Sequence, residues 1–305
     1  MRRDQPPFLL YDSGARAREQ AVTVHADLDT DRTGITVRGD FDTALIEITV
    51  RGRWTDALQT TTAAVLRDCL VSRPAGILAD LRGLADATGA GAALWSAARL
   101  WGTQAANPVP LVACLPATAP LATILGRRDA RWGLPVHPSP TQARAALTAV
   151  AERPDRVTLH LDPELDTLSP VTRAVAEACA AWGVPSLTRL ATAVLTELVA
   201  NALEHAETRV GVAIGRQSHG LHLTVHDRSP RFPHLTVGPA RDPGDPDGRG
   251  RGLRVVHTTT TAWGALPTRD GKIVWAILTA PDPRPTRRTR PGQTPNRTRS
   301  IDWHD

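Results

Sequence analysis

The sequence predicts two domains: an N-terminal α/β unit with helices packed on an open sheet, and a C-terminal α+β unit with helices on one face of a mostly antiparallel sheet. A disordered basic tail follows them. Three observations carry this. Strand and helix patterns alternate as far as residue 150, which is the signature of an α/β sheet. After the break AERPD (151–155) the pattern changes to a strand, two helices, two adjacent alternating strands, a long polar loop, a helix and a strand. A chain of 305 residues, 41% hydrophobic and 22% charged, has enough apolar material for two cores. The expected divisions are a flexible segment 1–34, a first domain 35–153, a second domain 154–280 and a tail 281–305.

The elements of the first domain follow from local pattern. LIEITVRG (45–52) places Ile46, Ile48 and Val50 on one face, as a half-buried strand does. TTTAAVLRDCL (60–70) predicts a helix, GILADL (76–81) a buried strand, and GAGAALWSAARLW (89–101) a helix with Ala92, Trp95 and Leu100 inward. VPLVACL (109–115) is a strand, LATILGRR (121–128) a short helix, PVH (135–137) a last strand, and TQARAALTAV (141–150) a helix.

In the second domain RVTLHL (156–161) alternates as a strand. SPVTRAVAEACAAWG (169–183) predicts a helix, with Ser169 as N-cap, Pro170 at its first position and Gly183 beyond its end. A second helix runs from a cap at Ser186 to about Ala206, with Leu190, Ala191, Val194, Leu195, Leu198 and Ala202 as its apolar stripe. RVGVAIG (209–215) and GLHLTVHD (220–227) are strands joined by a turn at QSHG. The stretch 238–252, rich in Gly, Pro, Asp and Arg, is too long for an idle connector. A helix at 253–263 and a strand at 272–278 close the unit.

Bulk properties narrow the function. No apolar run is long enough to cross a bilayer, and MRRDQPPFLLYDSG lacks the apolar core of a secretory leader. Cys69, Cys114 and Cys179 are scattered and without metal-ligand spacing, which suits reduced core thiols and a cytoplasmic location. The net charge of +5 does not argue for nucleic acid, because residues 281–305 alone hold six arginines against Asp282, Asp302 and Asp305. Such a tail is solvated or touches an acidic partner. Lys272 is the single lysine, with no role evident from the sequence.

Chemistry concentrates in three places. Within TELVANALEH (196–205), Glu197, Asn201 and His205 fall four residues apart and form one polar stripe along a helix. Asp227 ends a strand and enters the turn RSPRFP, where it can form the turn or accept a hydrogen bond from an exocyclic amine such as that of adenine. GRGRGL (248–253) is a glycine-rich loop directly before a helix, where backbone N–H groups and the helix N-terminus suit phosphate, with Arg249 and Arg251 to reinforce them. Asn201 offers a neutral oxygen to Mg²⁺, and Glu197, one turn away, can accept a proton from an attacking hydroxyl.

On these motifs, residues 156–280 resemble the GHKL ATPase superfamily, and within it the anti-sigma-factor serine kinase branch. TELVANALEHA is similar to its N box, DRSPRFP to its first glycine box, DGRGRGLRVV to its second, and WGALPTRDGKIVWAIL to its closing strand pair. The resemblance implies the two-layer ATP-binding fold, ATP and Mg²⁺ as cofactors, Glu197 as catalytic base and Asn201 as Mg²⁺ ligand. It further implies Asp227 as the adenine reader, and Gly248, Gly250, Arg251, Gly252 and Leu253 around the phosphates beneath a mobile lid at 238–251. The first glycine box departs from DxGxG, with Ser229 and Arg231 where glycines would stand beside adenine.

The order of strands and helices over 35–150, with ADLRGLADATGAG (79–91), resembles the STAS fold of anti-sigma-factor antagonists. There a hydroxyl residue at a helix start is phosphorylated. Here Asp86-Ala87-Thr88-Gly89 puts Thr88 at the acceptor position, although Thr88 can equally be the N-cap of the 89–101 helix. The resemblances together imply a protein serine/threonine kinase acting on a STAS-domain antagonist, or on its own STAS domain, in control of a sigma factor. They imply a cytoplasmic homodimer without membrane or direct nucleic-acid contact. The alternative is a non-catalytic scaffold that sequesters sigma factor or antagonist by contact.

Overall fold

The computed structural model describes residues 9–12, 34–127, 133–150, 155–163, 168–205, 209–233 and 251–280. The N-terminal half runs β1 (Leu9–Asp12), β2 (Gly34–Gly39), β3 (Leu45–Arg53), α1 (Asp56–Val71), β4 (Gly76–Asp80), β5 (Leu84–Ala85), α2 (Ala92–Gln104), β6 (Leu111–Cys114), α3 (Pro120–Arg127), β7 (Val136–His137) and α4 (Pro140–Val150). The C-terminal half continues with β8 (Arg156–Leu161), α5 (Leu168–Ala181), a single 3₁₀ turn (Pro185–Leu187), α6 (Thr188–His205), β9 (Val210–Gln217), β10 (Gly220–Asp227), α7 (Arg251–Thr259), β11 (Ala262–Pro267) and β12 (Lys272–Thr279).

The first sheet has the order β2-β3-β4-β6-β7, with β5 beside the end of β3. Its β2–β3 hairpin is antiparallel and the other pairings are parallel. Strand β4 explains its own composition: Ile77 and Ala79 join α1, α2 and α3 in one core, while Leu78 meets Ala143 and Leu147 of α4 in another. A parallel strand covered on both faces has no polar side to show. On the α4 side Arg144 pairs with Glu47 of β3. Helix α1 starts earlier than its apolar pattern because Thr55 caps it, accepting the Leu58 N–H at 3.2 Å.

The second sheet is antiparallel throughout, in the order β1-β11-β12-β10-β9-β8. Strand β1 was not foreseen. It lies inside the stretch expected to be flexible and pairs Leu9 with Ala265 and Asp12 with Ala262. Helix bounds shift locally as well. Ser169 falls inside α5 rather than capping it, Ser186 lies in the 3₁₀ turn, and Ala262 and Trp263 belong to β11 rather than to a helix. The lid at 238–250 and the tail at 281–305 lie outside the described residues.

Helices α5, α6 and α7 cover one face of this sheet, against Val212, Leu223, Trp263 and Val274. The opposite face, with Ala213, Leu266, Ile273, Trp275 and Ile277, is continuous with the core of the first domain. The β2–β3 turn seals that contact. Phe41 stacks on His226 at 5.4 Å between ring centroids and meets His160 edge-on at 6.3 Å. Arg156 lies 5.0 Å over the same ring and donates to the carbonyls of Phe41 (2.6 Å) and Asp42 (3.0 Å). Further along, Asn107 donates to Gln217 and accepts the Ser218 N–H at 3.1 Å.

Two expectations follow. Phe41→Ala should lower the unfolding free energy by about 3 kcal/mol, as truncation of a buried aromatic does. A denaturant titration showing under about 1 kcal/mol would mean the turn does not hold the domains together. The second concerns His222 of β10, which burial, and then the charges of Arg156 and Arg73, push down to about 4. Its folded-state value lies below the unfolded 6.5, so its contribution is whole above pH 6.5 and is lost as pH falls towards 4. Stability curves of wild type and His222→Gln should diverge over that window, and parallel curves would refute the shift. Asp68, which burial raises to about 6 against the lowering charge of Arg67, has the opposite sign and cancels in the comparison.

Candidate functional site

Helix α6 forms because Ala191, Val194, Leu195, Leu198, Val199 and Ala202 recur at helical spacing and pack into the helix-side core. Leu190, counted in that stripe from the sequence, is exposed, while Leu187 of the preceding turn is buried in its stead. Glu197 and Asn201 lie one turn apart, both half-buried, on the side of α6 that meets α7. A Cβ on Gly252 would overlap the Glu197 carboxylate. Glycine at this position is therefore what lets the start of α7 approach the acid. Leu253, one residue on, is buried in the helix-side core.

Asp227 ends β10 with 0% exposure. Its Oδ1 accepts the Ser229 N–H at 2.7 Å and the Lys272 ammonium at 2.7 Å. Lys272 is likewise 0% exposed, sits opposite Asp227 in the β10–β12 register, and also donates to the Ser229 carbonyl at 3.3 Å. The other carboxylate oxygen, Oδ2, is buried and has no partner among the described residues. The Ser229 hydroxyl accepts the Arg231 N–H at 3.3 Å, so the serine that replaces a glycine is built into the turn. Arg231 itself is exposed, and Phe232 packs into the helix-side core. On the far side, a Cβ at Gly271 would overlap the backbone of Asp227 and Arg228, which keeps the β11–β12 turn tight against the same corner.

The structure thus brings Glu197 and Gly252 together between α6 and α7, with Asn201 one turn further along α6, and places Asp227 at the end of strand β10. Gly248 and Gly250 lie outside the described residues, as does Arg249, while Arg251 and His205 are described in backbone only. Lys272 is the residue that sequence reasoning missed. Its signal was an isolated cation at the head of a strand that is otherwise apolar.

Thr88 lies elsewhere, exposed in the bend before α2. It does not cap that helix. Helix α2 starts at Ala92 rather than Gly89, and the buried Asp86 carboxylate takes the N–H groups of Ala90 (3.0 Å) and Gly91 (2.9 Å). Gly89 turns the chain with φ of 71°, and a Cβ there would overlap Ile124 of α3.

Comparison with known proteins agrees with this geometry over the second domain. Residues 161–278 match the family described as Histidine kinase-like ATPase domain. The chain therefore carries a histidine kinase-like ATPase domain of the GHKL type as its C-terminal unit. Among solved structures it is similar to an anti-sigma factor antagonist from Mycobacterium paratuberculosis, at 15% identity over 37% of this chain and 94% of that one, with a TM-score of 0.30. No match was found among curated proteins. Among the described residues no helix is long and apolar enough to cross a membrane.

Lys272→Met would leave the Asp227 carboxylate buried without its counter-charge. It is expected to cost about 3–5 kcal/mol of stability in urea titration. Asp227→Asn/Lys272→Met, which removes both charges, should recover part of that loss. A double variant no more stable than the single one would show that the two residues do not act as a pair.

Proposed function

We propose that the face between α6 and α7 binds ATP with Mg²⁺ and serves phosphoryl transfer to a serine or threonine of a STAS-domain antagonist, in control of a sigma factor. The observation that carries this is the Oδ2 atom of Asp227, a buried acceptor at the end of β10 without a partner among the described residues. A buried carboxylate oxygen left unmatched is costly, and an exocyclic amine such as that of adenine would satisfy it. The residues present fit the nucleotide in two further respects. Gly252, the second residue of α7, has no side chain to block a phosphate at the helix N-terminus, and Asn201 carries a neutral amide oxygen suited to Mg²⁺.

Bound Mg-ATP would supply the phosphoryl group and the positive charge that offsets it in transfer. Glu197 would hold the acceptor hydroxyl and take its proton as the new O–P bond forms and the bond from the γ-phosphorus to the bridging oxygen breaks, with ADP as the leaving group. The N–H groups at the start of α7, with Gly248, Gly250 and Arg251, orient the phosphates. Thr88 is an exposed hydroxyl of the chain's own first domain. That domain packs on the sheet face opposite α6, so the layer order favours an acceptor presented by a second molecule, in a homodimer or in a separate antagonist, within the cytoplasm. A scaffold that sequesters its partners without transfer is the second reading, favoured by Ser229 and Arg231 where the superfamily has glycines.

Calorimetric titration with Mg-ATP decides between them. Saturable, Mg²⁺-dependent binding that Asn201→Ala weakens at least about tenfold is expected. Glu197→Ala should keep most of that binding while transfer falls by about two orders of magnitude or more. If the folded wild type binds no nucleotide yet captures a STAS-domain partner, the scaffold reading stands instead.

A further inference from the structure

Of the 36 lysine and arginine residues, Lys272 alone is lysine, and it stands against a buried carboxylate. The difference between the two cations is geometric. A guanidinium presents a planar fork that closes on both oxygens of a carboxylate, whereas an ammonium is a point donor. The chain uses the fork elsewhere. Arg82 takes both oxygens of Asp80, at 2.9 and 2.8 Å, and Arg209 takes both of Asp162, at 2.9 and 3.3 Å.

Asp227 is matched differently. Its Oδ1 receives the Lys272 ammonium and the Ser229 N–H, each at 2.7 Å, which uses both lone pairs of that oxygen. The ammonium also donates to the Ser229 carbonyl at 3.3 Å, so it is tied to the residue that shares Oδ1 with it. Oδ2 keeps no partner among the described residues. An arginine fork here would close both oxygens; the single lysine closes one and leaves the other.

We propose that Lys272 sets which base the nucleotide site accepts, by filling Oδ1 and leaving Asp227 one oxygen to read with. This rests on the reading of the site as a nucleotide site with Asp227 at the base. A carboxylate with two free oxygens takes the adjacent N1–H and N2–H donors of guanine as a pair, as it takes an arginine fork. With Oδ1 filled, the second of those donors has no oxygen to meet. Adenine brings one donor, its 6-amino group, where guanine turns the lone pairs of a 6-oxo group towards the charge. Lys272 acts through Asp227, as a positioning residue, and needs no contact with the nucleotide.

The test is calorimetric titration of the full chain with the Mg²⁺ complexes of ATP, GTP and ITP. Triphosphate and metal are common to all three, so the affinity ratios report the base alone, and ITP differs from GTP only in lacking the 2-amino group. Wild type is expected to bind ATP at least about tenfold more tightly than GTP, and GTP no more tightly than ITP. In Lys272→Met the freed Oδ1 should let GTP bind about tenfold more tightly than ITP, and the preference for ATP over GTP should fall by a similar factor. A loss of stability alone lowers all three affinities together and leaves the ratios unchanged. The wild-type comparison of GTP with ITP needs no variant, so it decides the matter even where Lys272→Met does not fold. The inference is overturned if wild type binds GTP as tightly as ATP or about tenfold more tightly than ITP, or if folded Lys272→Met keeps the wild-type ratios. Each of those results leaves nucleotide binding itself standing. A folded wild type that binds none of the three overturns the nucleotide reading and this inference together.

Discussion

A strand with apolar side chains on both faces must be covered twice, and β12 is such a strand. Val274, Ala276 and Leu278 turn to the helices, while Ile273, Trp275 and Ile277 turn the other way. Helices α5 to α7 cover only the first set. The second would lie open to water as an apolar patch if the first domain did not pack on it. That requirement sets the arrangement of the whole chain: the α/β unit is the second cover of the ATPase-type sheet, and Phe41 with its cage of Arg156, His160 and His226 fastens it there. It also joins the two faces mechanically. Strands β10 and β12 carry Asp227 and Lys272 at one end and His222 and Trp275 in the interdomain wall.

The Asp227–Lys272 pair answers the question raised by a glycine box without its glycines. In a fully buried position an aspartate needs a cation or several hydrogen bonds, and here one oxygen receives both an ammonium and a backbone N–H. The second oxygen is thereby left as a buried acceptor without a partner among the described residues. Ser229 supports this geometry by capping the turn, so a residue that looked like an obstruction acts as part of the frame.

Much of this was legible in the sequence, and the reasons divide cleanly. The α6 stripe was readable because helical periodicity is local, and the strands β9, β10 and β12 because their alternation or apolar run is short-range. Strand β1 was not, since four residues in a polar segment become a strand only by pairing with β11, far along the chain. The role of Lys272 was hidden for the same reason: its partner is 45 positions away and is set by sheet register. The start of α2 was misplaced because Asp86, outside the helix, collects the N–H groups that Thr88 was expected to take. The interdomain cover left a trace in β12, whose two apolar faces exceed what one helical layer can bury, yet nothing local names the surface that meets the second face.

A chain with one lysine in 305 residues, and that lysine locked in its core, offers side-chain amine chemistry no exposed target. Acylating reagents, lysine-directed cross-linkers and enzymes that acetylate or ubiquitinate side-chain amines find their only such target behind a strand pair. Labelling of Lys272 would then report opening of that corner, and the protein carries in a single ammonium group its own probe for the loss of native structure.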